Sequence, residues 1–288
     1  MLKKACHSLI LLAIFSLSML LCSCAPALSV DSFEELAQHS TIISTDSIEV
    51  DIEYLEFLDL YVDNLRQEYI KYVEFQYEYA SLIPPEKILC YKIRYKVDDA
   101  EVVGYISAPA DYQTTRYPVL IYNRGGNGNF AALEAPVLQR YAQYGFIVLA
   151  TNYRGVDGGT GKDEFGGADV ADVIKLIDYA EMFSFTNGKI YMFGWSRGAM
   201  QTYIVLSRDE RIDAAVAGAG PTDLIRGYEE REDMRSMMNF RIGLPDDYPE
   251  EYEARSALCW PERINTHLFI VHGTADDRVF GASFLRFI

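Results

Sequence analysis

Two periods organise the chain. From Lys87 apolar and polar positions alternate with a period of two over 88–97 and 102–108, on either side of Asp98-Asp99-Ala100, which is the pattern of two antiparallel strands joined by a tight turn. Further on, short apolar runs predict strands over 118–123, 146–152, 189–194, 212–218 and 267–272. Between them, apolar positions three and four apart predict helices over 130–143, 167–183 and 197–207, and a charged excursion occupies 221–262. Strands that alternate with helices build a mostly parallel sheet with helices on both faces. Such sheets place their sites beyond the carboxyl ends of the strands.

Upstream the period changes. Leu55, Leu58, Val62, Leu65 and Tyr69 recur at helical spacing, and Pro84-Pro85 stops the pattern, so 48–85 is expected to be a small helical extension. Its aromatic stripe, Tyr69, Tyr72, Phe75 and Tyr79, reads as core rather than as a binding groove. Residues 24–47 are polar and read as a tether. Ahead of them, Lys3 and Lys4 followed by the apolar stretch Leu9 to Leu21 form a secretory leader over 1–23. Leu21-Cys22-Ser23-Cys24 resembles a bacterial lipobox, which puts a lipid on Cys24 and makes the protein an exported lipoprotein of the cell envelope. An ordinary cleaved signal is the alternative. A membrane span fits less well, because Pro26 and polar residues follow too soon.

Charge narrows the partners. The net charge is −16, and −18 without Lys3 and Lys4 of the leader, which argues against nucleic acid and anionic membrane surfaces as partners. Beyond the leader the cysteines are Cys24, Cys90 and Cys259, with the last two expected on opposite flanks of the sheet and unpaired. No Cys/His cluster has metal-ligand spacing, and neither a metal nor another cofactor is expected.

The candidate chemistry centres on Gly194-Trp195-Ser196-Arg197-Gly198. Alone this G-x-S-x-G match is weak, since about one chain in ten of this length carries it by chance. Its context is specific: the strand 189–194 precedes it and a helix follows, which is the sharp strand-to-helix turn that exposes a nucleophilic serine. Glycines on both sides let strand and helix approach, and the amide of Arg197 at the helix start can donate to an oxyanion. Tyr122-Asn123-Arg124-Gly125-Gly126-Asn127 follows the third strand, where the second oxyanion donor belongs, with Arg124 and Gly125 as candidates. For the triad acid, Asp276 follows the strand 267–272, ahead of Asp223 and Asp277. Glu229 and Glu230 could bind an amine, though they read better as solvated helix charges.

Over 87–288 these stretches, with Ala150-Thr151-Asn152-Tyr153-Arg154-Gly155, Phe165-Gly166-Gly167-Ala168-Asp169-Val170 and His272-Gly273-Thr274-Ala275-Asp276-Asp277, resemble the catalytic domain of the prolyl oligopeptidase family of serine peptidases. The resemblance implies the α/β-hydrolase fold over 86–288, Ser196 as nucleophile, Asp276 as triad acid, and short peptides or small acyl compounds as substrates. Three departures stand out. The β-propeller of well-known members is replaced by roughly 60 mostly helical residues. Arg124 stands where some members use a tyrosine hydroxyl, so donation falls to backbone amides or to the guanidinium; Arg124 and Arg197 also read as packing or substrate-carboxylate contacts. Finally, the family's catalytic histidine follows one more helix and strand, which the twelve residues after Asp276 cannot supply.

None of the four histidines replaces it well. His7 lies in the leader, His39 in the tether and His267 at the far end of its strand, while His272 is at the correct end but precedes the acid. The expectation is therefore a serine peptidase whose last strand, helix and base lie beyond Ile288, so that the 288-residue chain itself turns over poorly. A carboxylesterase, or a non-catalytic binding protein on the same fold, are the alternatives. The oligomeric state is not legible.

Overall fold

The computed structural model describes residues 29–49 and 82–279. The leader, Cys24 and most of the expected helical extension, residues 50–81, lie outside the described residues, as do 280–288. An eight-stranded sheet runs through the rest. Its strands are β1 (Ile42–Ser47), β2 (Ile88–Val97), β3 (Ala100–Pro109), β4 (Val119–Asn123), β5 (Ile147–Thr151), β6 (Ile190–Trp195), β7 (Ala214–Gly218) and β8 (His267–Val271). They lie in the order β1-β2-β3-β5-β4-β6-β7-β8. The first three are antiparallel to their neighbours, and β5, β4, β6, β7 and β8 are parallel. The helices are α1 (Phe33–Leu36), α2 (Ala135–Gln143), α3 (Val170–Met182), α4 (Arg197–Leu206), α5 (Leu224–Glu230), α6 (Glu232–Arg241) and α7 (Pro249–Glu253).

The central strands are buried on both faces, which is why Ile147–Thr151 is an unbroken buried run rather than an alternating one. Helix α4 is buried at all ten positions and runs back under the sheet from the end of β6. A helix with no exposed position has to be enclosed, and Met200, Tyr203 and Ile204 join the larger core cluster with Val173, Leu176 and Ile177 of α3. A smaller cluster on the other face gathers Leu138 and Ala142 of α2 against Tyr105, Val148 and Ala150.

Two boundaries differ from the sequence reading. The helix expected from 130 begins at Ala135, because Pro136 is tolerated only in a first turn; residues 130–134 instead complete the loop after β4. The expected tether over 24–47 is, from Val30 onward, part of the folded unit. Val30 N–H donates to the Met182 carbonyl at 2.7 Å, and Ser32 caps α1 by accepting from Glu35 N–H at 3.1 Å. Phe33 enters an aromatic box, with ring centroids 4.3 Å from Tyr112, 5.3 Å from Phe185 and 5.8 Å from Phe183. Strand β1 then pairs with β2 and covers that edge of the sheet. Few apolar residues occur in the segment, but Val30, Phe33 and Leu36 are each about 2% exposed. At the other edge β8 leaves Phe269 67% and Val271 42% exposed among the described residues.

Candidate active site

The apex between β6 and α4 is Ser196, held at φ 55° and ψ −122°. A serine pays about 1–3 kcal/mol to sit in that region, so the surroundings must impose it. They do. Ser196 N–H donates to the Gly218 carbonyl at 2.8 Å, and the Ser196 carbonyl accepts from Ala199 N–H at 2.9 Å. A Cβ on Gly194 would run into the Gly198 carbonyl, and one on Gly198 into the Asn123 carbonyl, so neither glycine of the elbow can carry a side chain. Ser196 thereby stands at the carboxyl edge of the sheet with the start of α4, and the Arg197 N–H, directly behind it.

The loop after β4 closes on this apex. A Cβ placed on Gly125 would lie 3.4 Å from the Ser196 Cβ and 3.1 Å from the Trp195 carbonyl oxygen, so the loop backbone and the elbow touch. Its shape comes from Arg124, whose side chain is buried. The guanidinium donates to the carbonyls of Gly128 (2.8 Å), Asn152 (2.8 Å), Gly125 (3.0 Å), Phe130 (3.2 Å) and Ala131 (3.2 Å). Burial pulls its pKa down to about 10, still a cation at neutral pH. Every donor faces a carbonyl, so of the roles open to Arg124 in the sequence the guanidinium has that of a scaffold under the loop. No donor of the guanidinium is left over for an oxyanion.

Arg197 is likewise turned inward. Its side chain bridges Asp163, at 2.9 and 2.6 Å, and Asp169, at 2.8 Å, between the rings of Tyr153 (4.4 Å) and Phe165 (4.9 Å). The reading of Arg197 as a contact for a substrate carboxylate is therefore corrected: only its main chain reaches the apex. Burial disfavours the Asp163 carboxylate, but the Arg197 charge and the N–H groups of Gly128 and Phe165 outweigh this and hold its pKa at about 2. Composition gave no sign of this network. The Phe165 to Val170 stretch marked the segment, yet nothing in it told which side chains face Arg197.

Asp276 sits in the turn after β8. Its Oδ1 accepts from Arg278 N–H and Val279 N–H, both at 2.9 Å, and its Oδ2 lies 3.5 Å from His272 Nε2. The Val279 carbonyl is 2.6 Å from the same nitrogen; a carbonyl only accepts, so Nε2 carries the proton. His272 is thus engaged within its own turn. Asp223, the second acid candidate, caps α5 by accepting from Arg226 N–H at 3.0 Å. Asp277 does not line the cavity described next.

Ser196 and Asp276 open into one cavity of about 900 Å³. The charged excursion supplies part of its wall: Leu224, Met234 and Met238 line it together with Phe130, Val137 and Trp195. Glu230 lines it too, paired with Arg226 at 2.6 Å. Among the described residues no histidine lines the cavity, and no group of three or more His, Cys, Asp or Glu is arranged to hold a metal ion.

An open, mostly parallel sheet with a strained serine between strand and helix, and a carboxylate after a later parallel strand, defines the α/β-hydrolase class. Within that class the chain belongs to the prolyl oligopeptidase family of serine peptidases, whose model matches residues 133–288. It is 30% identical over 199 residues to the uncharacterized peptidase YtmA of Bacillus subtilis (strain 168), covering 68% of this chain and 77% of that protein. Among solved structures it resembles the Pyrococcus horikoshii acylaminoacyl peptidase, with a TM-score of 0.59 and 19% identity over 70% of this chain. It also resembles the Pyrococcus furiosus esterase Pf2001, with a TM-score of 0.53 and 20% identity over 68% of this chain and 75% of that one. The chain spans 34% of the length of the acylaminoacyl peptidase.

Proposed function

We propose that this protein hydrolyses short peptides through an acyl-enzyme on Ser196. In this reading the Ser196 hydroxyl attacks the scissile carbonyl, and the N–H of Arg197 with those of the Arg124 to Gly126 loop hold the oxyanion. Asp276 orients the histidine that takes the serine proton; among the described residues no histidine lines the cavity. One observation carries the proposal: a serine at φ 55° facing a cavity of about 900 Å³ whose lining also contains an acid fixed by two backbone N–H groups. The apolar walls, with Trp195 49% exposed beside the serine, suit a peptide with a bulky apolar side chain next to the cleaved bond.

A carboxylesterase is the second reading, supported by the likeness of the fold to a protein named as an esterase. Comparing full-length protein on peptide p-nitroanilides and p-nitrophenyl esters separates the two. The proposal expects amide cleavage that Ser196→Ala lowers by roughly a thousandfold or more. Ester hydrolysis lost in Ser196→Ala, with no amide cleavage in the parent, would establish the esterase instead. The leader supports export with a lipid on Cys24; labelling by radioactive palmitate, abolished by Cys24→Ser, tests that part.

A further inference from the structure

The mechanism above uses two backbone segments, the start of α4 and the loop after β4, which meet at Ser196 but are far apart in sequence. One buried carboxylate touches both. Asp163 is 3% exposed; its Oδ1 accepts from Arg197 Nη2 (2.6 Å) and Phe165 N–H (3.0 Å), and its Oδ2 from Arg197 Nη1 (2.9 Å) and Gly128 N–H (2.9 Å). A third element joins them. Arg241, at the end of α6 in the cavity wall, donates to the Asp163 main-chain carbonyl at 2.7 Å and lies 3.1 Å from Oδ2. Arg197 closes the circuit by reaching the Gly126 carbonyl at 3.4 Å.

Neither partner could hold this geometry alone. The loop is pinned from below by Arg124, but those bonds all end on carbonyls and hold none of its N–H groups. Asp163 is the acceptor that takes the Gly128 N–H and so fixes the other face of the peptide chain running through Gly125 and Gly126. Through the Arg197 fork it also fixes the first residue of α4, whose N–H is the other oxyanion donor. Asp169 holds Arg197 as well, but its other acceptor bonds go to Glu164, Gly166, Gly167 and Gln201, none of which belongs to the loop.

We infer that Asp163 is a positioning residue for the oxyanion site: it sets the distance between the Arg197 N–H and the loop N–H groups, and couples both to the cavity wall through Arg241. The inference rests on the serine hydrolase reading of Ser196. Misplacing such donors costs turnover and leaves ground-state binding nearly intact, whereas mere loss of stability removes active molecules without changing those that remain.

The test measures kcat and KM for a chromogenic ester in the full-length protein, per active site titrated with an irreversible fluorophosphonate, together with the inactivation rate constant. Asp163→Asn keeps the shape, removes the charge and turns one oxygen into a donor facing N–H groups. Its kcat per titrated site and its inactivation rate constant should both fall roughly 10- to 100-fold, with KM changed less than about twofold. Should Asp163→Asn not fold, Arg241→Met decides, with the same two constants expected to fall several-fold. Unchanged constants per titrated site, with only fewer titratable sites, overturn the inference while leaving the Ser196 reading intact. A parent protein that takes no phosphonate and is unaffected by Ser196→Ala overturns both.

Discussion

Replacing Arg124 by Met separates a scaffold from a catalytic cation. In the folded protein its guanidinium serves five carbonyls, those of Gly125, Gly128, Phe130, Ala131 and Asn152, at 2.8 to 3.2 Å. Hydrogen bonds from a charged donor are worth about 1.5–3 kcal/mol each, offset by several kcal/mol for burying the cation. The net loss for Arg124→Met is then about 3–5 kcal/mol, which lowers the melting temperature of a domain this size by roughly 10 °C. Because the loop it supports touches the Ser196 elbow, kcat per titrated site should fall as well, by about a hundredfold. Arg124→Lys, with three donors on one nitrogen, should fall between parent and Met in both quantities. Differential scanning calorimetry and titrated-site kinetics, run well below the transition, give the two numbers. Lost turnover with an unchanged melting temperature would place the guanidinium in the chemistry and refute the scaffold argument. A lowered melting temperature with unchanged kcat would show that the loop keeps its geometry without Arg124.

Two further outcomes follow from named contacts. The Asp163 carboxyl, held at about 2 in the folded protein against 3.8 when free, contributes about 2 kcal/mol that is fully present above pH 4 and lost as pH falls toward 2; chemical denaturation should show a shallower acid loss for Asp163→Asn than for the parent across that window, and parallel curves would contradict it. Phe33→Ala empties the aromatic box formed with Tyr112, Phe183 and Phe185 and should release the N-terminal segment, read as lost hydrogen-exchange protection over 42–47 with kcat within about twofold of the parent; retained protection would show that β1 pairing alone holds it.

The sheet was legible because its strands are buried by helices. Runs such as Ile147–Thr151 and Ile190–Trp195 have no polar face to confuse their period, and the glycines of the elbow mark a steric need that no other residue meets. Segments stabilised by a few long-range contacts were not legible. Val30 to Ser47 looks polar, and only the partners contributed by residues 91 to 185 show why it folds against the domain. The same holds for charge. In the sequence Arg124 and Arg197 stay divided between oxyanion, packing and substrate contacts, and Asp163 has no role at all; which carbonyls and carboxylates meet them follows from the tertiary fold. Ser196 and Asp276 came forward because each follows a strand that points to the same edge, a relation that chain order carries.

Every role proposed for the site depends on the Ser196 hydroxyl being the nucleophile. Incubating full-length protein with a fluorophosphonate and mapping the adduct by peptide mass spectrometry tests it most directly. A single stoichiometric adduct is expected on the peptide containing Gly194-Trp195-Ser196-Arg197-Gly198, placed on Ser196 and absent from Ser196→Ala. An adduct on another residue, or none on a protein that still hydrolyses its substrate, would contradict it.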